Sequence, residues 1–137
     1  MAQLSNVMYK DHDGFLYVYF ENYDDDCNCM WRKNTVHENV YTIERVDILP
    51  EFRRKGFARV LLMETLNSIE VECPQACIEI SAEPDEGSEI TVENLVSFYE
   101  SLGFEKHLSL GSRVHLRLYL DDSVKPNTVY DHPSYFK

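Results

Sequence analysis

The stretch Arg53-Arg54-Lys55-Gly56-Phe57-Ala58 stands between two runs of different period. Before it, Val40 to Leu49 alternates, with Thr42, Glu44, Val46 and Ile48 on one side and Tyr41, Ile43, Arg45 and Asp47 on the other, which is strand spacing. After it, Ala58, Leu61, Leu62, Thr65, Leu66 and Ile69 recur as one helical stripe. A strand that turns through glycine straight into a helix leaves the first N–H groups of that helix without intrahelical acceptors. The helix dipole adds roughly half a positive charge at the same place. With Arg53, Arg54 and Lys55 at the turn, the chemistry points to a phosphate-bearing ligand.

Charge sharpens this. The 137 residues carry a net charge of −11. From Arg45 to Arg59, five cations face two acids, a net of +3, which leaves −14 for the rest. On charge alone, a merely solvated turn would account for the cluster equally well. The acidic balance disfavours nucleic acid and anionic membrane surfaces as partners and favours basic ones. Hydrophobic residues make up 44%, enough for one domain with a real core. No apolar run reaches membrane-spanning length, and Met1 to Lys10 does not read as a signal peptide. The expected compartment is the cytoplasm, with Cys27, Cys29, Cys73 and Cys77 as thiols.

The segment from Val46 to Arg59 resembles the acetyl-CoA signature of the GNAT superfamily of N-acetyltransferases, Arg/Gln-x-x-Gly-x-Gly/Ala after a strand. Arg53, Gly56 and Ala58 fill its fixed positions, and Pro50, Glu51 and Phe52 match the lead-in. Phe98-Tyr99-Glu100-Ser101-Leu102-Gly103-Phe104 is similar to the later helix of that family, which ends in Tyr-x-x-x-Gly-Phe. The likeness spans roughly residues 40 to 120.

The resemblance implies an α/β (α+β) fold: a mixed, mostly antiparallel sheet with a central βαβ cofactor unit and two main helices. It implies acetyl-CoA as cosubstrate and an amine as acceptor, a protein lysine among the candidates. Backbone groups of Val46, Asp47 and Ile48 would bind the pantetheine arm. Arg53, Arg54, Lys55, Gly56, Phe57, Ala58 and Arg59 would hold the diphosphate. Tyr99 would be the acid that protonates the leaving thiolate, and an N–H near Ile48 the oxyanion donor. Family members often carry Asn seven residues before that Tyr; Val92 stands there, so Asn94, two positions off, is the remaining candidate. No general base is assigned among Glu44, Asp47 and Glu79.

Residues 1 to 40 read as antiparallel β-structure, with strands at Asn6 to Lys10, Phe15 to Phe20 and Cys29 to Lys33, and a turn at Asp11-His12-Asp13-Gly14. The two helices that GNAT domains place between their first two strands have no counterpart in this pattern. An open acceptor site suited to a bulky amine follows as an expectation. Further on, Ala76 to Ser81 reads as a strand and Val92 to Leu102 as a helix capped by Thr91. A closing hairpin is expected around Leu110-Gly111-Ser112. The loop from Ala82 to Glu93, with Glu83, Asp85 and Glu86, is an acidic rim or a solvated connection. Residues 1–120 form the expected domain and 121–137 a tail.

The cysteine spacings are not those of a zinc site, so no metal is assigned. The five histidines are scattered, and a strand histidine such as His115 reads as structural. An aromatic edge at Phe15 to Phe20 would allow a dimer. The competing reading is a non-catalytic acidic protein of the same fold that acts as a binding or inhibitor module.

Overall fold

Asp13 and Gly14 both take positive φ, 55° and 85°, and close a two-residue hairpin between β1 (Val7–His12) and β2 (Phe15–Phe20). Only that backbone region matches the twist of the flanking strands in so short a turn, and Asp and Gly tolerate it. The computed structural model describes residues 6–84 and 89–121, apart from 36 and 54. Arg54, Asp85, Glu86 and residues 122–137 of the expected tail therefore lie outside the described residues.

β3 (Asn28–Lys33) and β4 (Val40–Asp47) continue the antiparallel run. A three-residue 3₁₀ turn, Pro50–Phe52, leads to α1 (Phe57–Glu72). β5 (Cys77–Ala82) then returns parallel to β4. α2 (Val92–Glu100), β6 (Glu105–Leu110) and β7 (Arg113–Tyr119) complete the order. The seven strands form one mixed, mostly antiparallel sheet in the order β1-β2-β3-β4-β5-β7-β6. β1 is therefore the edge and β2 is paired on both sides, so the aromatic run Phe15 to Phe20 is not the edge the sequence implied.

Both helices begin and end where their chemistry predicts. The Thr91 hydroxyl accepts from the Asn94 N–H at 3.1 Å and caps α2. At the other end the Phe104 N–H donates to the Tyr99 carbonyl at 3.2 Å, and Gly103 to Glu100 at 3.0 Å. The stripe Leu61, Leu62, Thr65, Leu66 and Ile69 of α1 is buried, in one cluster with Trp31, Tyr41, Ile43, Ile78, Ile80 and Leu116. Val96 and Tyr99 of α2 join the same cluster. Both helices thus pack on one face of the sheet.

The alternation expected along β4 does not survive intact. Met30 lies opposite Arg45, but the next residue, Trp31, lies opposite Ile43, so Glu44 is an extra residue in β4. This β-bulge reverses the parity of the strand. Val46 and Ile48 fall on the core side with Tyr41 and Ile43, not on the side of Thr42 as strict alternation requires. The other face carries Thr42, Glu79 and Arg117 in one row across β4, β5 and β7, all 1–2% exposed.

Candidate functional site

The ladder between β4 and β5 has four rungs, from Val40 opposite Cys77 to Ile43 opposite Ile80. Beyond them the two strands part. β4 runs on to Asp47, still paired with β3, while β5 runs on to Ala82, paired with β7. The parting begins at the bulge, which bends the strand and increases its twist. The end of β4, from Val46 to Ile48, borders this parting.

The basic turn sits at the same end. Gly56 has φ 83°, the left-handed region, and among the described residues beyond its chain neighbours no atom comes within 4 Å of where its Cβ would lie. Glycine is there for the backbone rather than for space. The chain enters α1 with Gly56 as cap and no side chain bonded to the first N–H groups, and no acid occupies the first turn. The first N–H groups of α1, from Phe57 to Arg59, thus have no side-chain cap among the described residues, the condition in which a helix N-terminus can take an anion.

The side chains of the turn divide their tasks. Arg53 Nε donates to the Ile48 carbonyl at 3.0 Å and ties the turn to the end of β4. Lys55 and Gly56 are exposed. Phe57 packs edge-on against Phe20 and Phe52, with centroids at 5.4 and 6.0 Å, so it anchors the turn to the core and leaves only its backbone for a ligand. Arg59 reaches to α2: its Nη2 donates to Ser101 Oγ at 2.9 Å and its guanidinium lies 5.4 Å from the Phe98 ring centroid. Phe98 and Ser101 were not singled out by the sequence, since neither spacing nor charge links them to a residue some forty positions earlier. Asn94 is exposed on the first turn of α2.

Tyr99 is 6% exposed and packs beside Phe98 and Phe104. Burial pushes its phenol above the ordinary value, and the nearby Cys29 adds to this. Cys29 is fully buried, and the loss of water pushes its thiol up to about 12, partly offset by a hydrogen bond with Thr65. Cys29 is also the cross-strand partner of Val46.

On the opposite face, Arg117 Nε lies 3.7 Å from Glu79 Oε2, and the Thr42 hydroxyl donates to Glu79 Oε1 at 3.4 Å. His115, opposite Ser81, has its pKa lowered to about 4, first by burial and then by Arg113, His107 and Arg117. The four cysteines are free thiols, three buried and Cys73 half-buried. Among the described residues, no group of three or more His, Cys, Asp or Glu is placed to hold a metal, and no helix is long and apolar enough to cross a membrane. Of the acidic loop, Glu83 pairs with Arg113 at 3.4 Å.

No family model matches the sequence, and no curated protein matches it. Solved structures do. A protein described as an acetyltransferase of the GNAT family, from Desulfovibrio desulfuricans, superposes with a TM-score of 0.62 at 19% identity, over 79% of this chain and 71% of that one. The ribosomal-protein-S18-alanine N-acetyltransferase of Escherichia coli gives 0.59 at 14% identity, over 81% and 72%. The PaiA N-acetyltransferase of Thermoplasma acidophilum, solved with coenzyme A, gives 0.56 at 16%, over 77% and 59%. The fold is the GNAT fold.

Two features distinguish this chain within the fold. The pair of helices between the first two strands of GNAT domains is replaced by the turn at Asp13 and Gly14. Among the described residues the sheet face opposite α1 and α2 is consequently not covered by a helix.

Proposed function

We propose that the protein is an acyl-CoA-dependent N-acyltransferase that moves an acetyl group from acetyl-CoA to an amine. One observation carries this reading: β4 and β5 part after Ile43 and Ile80, and the same end of β4 leads through the left-handed Gly56 into an uncapped helix N-terminus. The first is a slot for an extended arm that bonds strand backbone, and the second is a seat for a diphosphate. The coenzyme A complex of a GNAT neighbour supports the assignment of donor.

In this reading Val46, Asp47 and Ile48 hold the pantetheine through their backbone. The N–H groups of Phe57, Ala58 and Arg59 bind the diphosphate, with Arg53, Arg54 and Lys55 supplying charge and Gly56 the turn. Asn94 contributes from the start of α2. The neutral amine attacks the thioester carbonyl, the C–N bond forms, the C–S bond breaks, and the thiolate takes a proton from Tyr99. The oxyanion is met by an N–H near Ile48. The four free thiols fit work in a reducing cytoplasm.

Calorimetry with acetyl-CoA and with coenzyme A tests the binding half. Incubation with labelled acetyl-CoA and a cell extract, followed by mass spectrometry, tests the transfer. Micromolar binding and a labelled amine are expected; absence of heat with either ligand refutes the reading.

A further inference from the structure

We propose that residues 122–137 lie across the helix-free face of the sheet, over β5, β7 and the Val40–Thr42 part of β4, and wall one side of the parting. The cover itself is argued from burial; its role at the acceptor rests on the acyltransferase reading.

Burial changes abruptly along one row of this face. Arg32, Thr42, Glu79, Arg117 and Glu105 lie opposite one another across β3, β4, β5, β7 and β6. Arg32 is half-buried and Glu105 exposed, yet Thr42, Glu79 and Arg117 between them are buried. The rungs on either side agree. Val40 and Cys77 are fully buried and stand apart from the cluster under α1 and α2. His115, opposite Ser81, is buried as well. By contrast Lys10, Tyr17, Met30 and Arg45, a row on the same face across β1 to β4, are half-buried or exposed throughout. A sheet face open to water does not hide a glutamate and an arginine. A strip about 10 Å wide and about 13 Å long, from the Val40–Cys77 rung to Ser81 and His115, is therefore covered. Both helices pack on the other face and all seven strands lie within the sheet, so among the described residues no helix or strand supplies the cover.

Length and position single out one occupant. Residues 1–5 precede β1, at the sheet edge beyond the wet strands. Residues 85–88 follow the Ala82 end of β5, and four residues are too few to reach back to Cys77. Residues 122–137 start beside the covered strip: the Leu120 N–H donates to the Ala76 carbonyl at 3.0 Å, next to Cys77. Sixteen residues extend to about 50 Å, ample for the strip. Their composition fits it. Val124, Val129, Tyr130, Tyr135 and Phe136 supply apolar surface for Val40 and Cys77. Asp122 and Asp131 balance Lys125 and Lys137, so the segment brings no net charge over the balanced pair Glu79 and Arg117. Pro126 and Pro133 disfavour a helix.

The strip ends at Ser81, the first residue of β5 past its last rung with β4. On the acyltransferase reading the segment thus closes the β5 side of the acceptor entrance. The open site expected from the missing helices is then open only toward β3 and β1.

Hydrogen exchange of the full chain, read by mass spectrometry, is the first test. Amides of residues 122–137 are expected to exchange about 100-fold more slowly than in a free peptide of that sequence. Alkylation by iodoacetamide, mapped cysteine by cysteine, is the second. Cys77 belongs to the covered strip, whereas Cys29 lies in the cluster under the helices and reports loosening of the whole fold. Two full-length variants are compared with the parent, Val129→Asp with Tyr130→Asp and Tyr135→Asp with Phe136→Asp. In at least one of them Cys77 is expected to label about tenfold faster, with Cys29 at the parent rate. Exchange of the segment at free-peptide rates, Cys77 labelling indifferent to both pairs, or an equal rise at Cys29 overturns the proposal. Calorimetry of acetyl-CoA with the parent is independent of these readouts: absence of binding overturns the acyltransferase reading, and with it the role at the acceptor, while the cover stands.

Discussion

Arg117 and Glu79 face each other across β7 and β5, Nε to Oε2 at 3.7 Å, and both side chains are 2% exposed. They lie on the face of the sheet that neither α1 nor α2 covers. Two charges so far from water depend on close partners, among them each other and Thr42, at 3.4 Å from Glu79. Removing one member of a buried pair costs about 3–5 kcal/mol, whereas replacing both with apolar residues of similar size costs far less. Glu79→Gln should accordingly lower the free energy of unfolding by about 3 kcal/mol or more, and Glu79→Leu with Arg117→Met by much less. Urea denaturation of the three proteins checks this; equal losses for the single and double variants would contradict it.

Tyr99→Phe removes the proposed acid and leaves the packing against Phe98 and Phe104 in place. Affinity for acetyl-CoA should be unchanged while kcat falls about 100-fold. Burial and the neighbouring Cys29 hold the phenol above its ordinary pKa of 10.0, so it stays protonated as pH rises. The kcat profile should therefore show no falling limb from this group below about pH 10. Unchanged turnover in Tyr99→Phe would remove the assignment.

Gly56→Ala should cost about 1 kcal/mol of stability and weaken coenzyme A binding. Among the described residues beyond its chain neighbours no atom lies within 4 Å of the added Cβ, so the penalty comes from the backbone at φ 83°. Relaxation of the turn toward negative φ would re-aim the N–H groups of Phe57 and Ala58. Thermal melts and calorimetry report the two effects separately; an alanine variant with parental values in both would show that the left-handed turn is dispensable.

His115 gives a pH signature of its own. Its folded pKa is lowered to about 4 by burial and by Arg113, His107 and Arg117, against 6.5 when unfolded. A depressed histidine favours folding with its full contribution above pH 6.5. That contribution is lost as pH falls from 6.5 toward 4, because the unfolded chain binds the proton first. His115→Gln should flatten the difference between pH 7 and pH 5 in denaturant titrations. A parent whose stability is level over that range would refute the shift.

Much of the architecture was legible in the chain. Phe15–Phe20 and the two helices read directly from their periods, and Thr91 and Gly103 gave both ends of α2. Local chemistry fixes such features, because a cap or a tight turn needs only residues a few positions apart. The turn at Arg53 to Ala58 was legible for the same reason. The faces of β4 were not. A bulge is set by pairing with β3, and nothing in the alternation of Val40 to Leu49 shows that Trp31 skips Glu44 to meet Ile43. The interior place of β2 was also out of reach, since it follows only from β1 and β3 flanking it.

What the sequence by itself determined is the form of the basic turn, where a strand passes through glycine into a helix. Its amide geometry and charge lie within a dozen consecutive residues and need no distant partner. Only the tertiary structure decided what surrounds that turn. The parting of β4 from β5, the turning of Arg59 toward Phe98, and the row from Lys10 to Arg45 all depend on register between strands. Register is set by cooperative packing of the whole sheet, which no single stretch encodes.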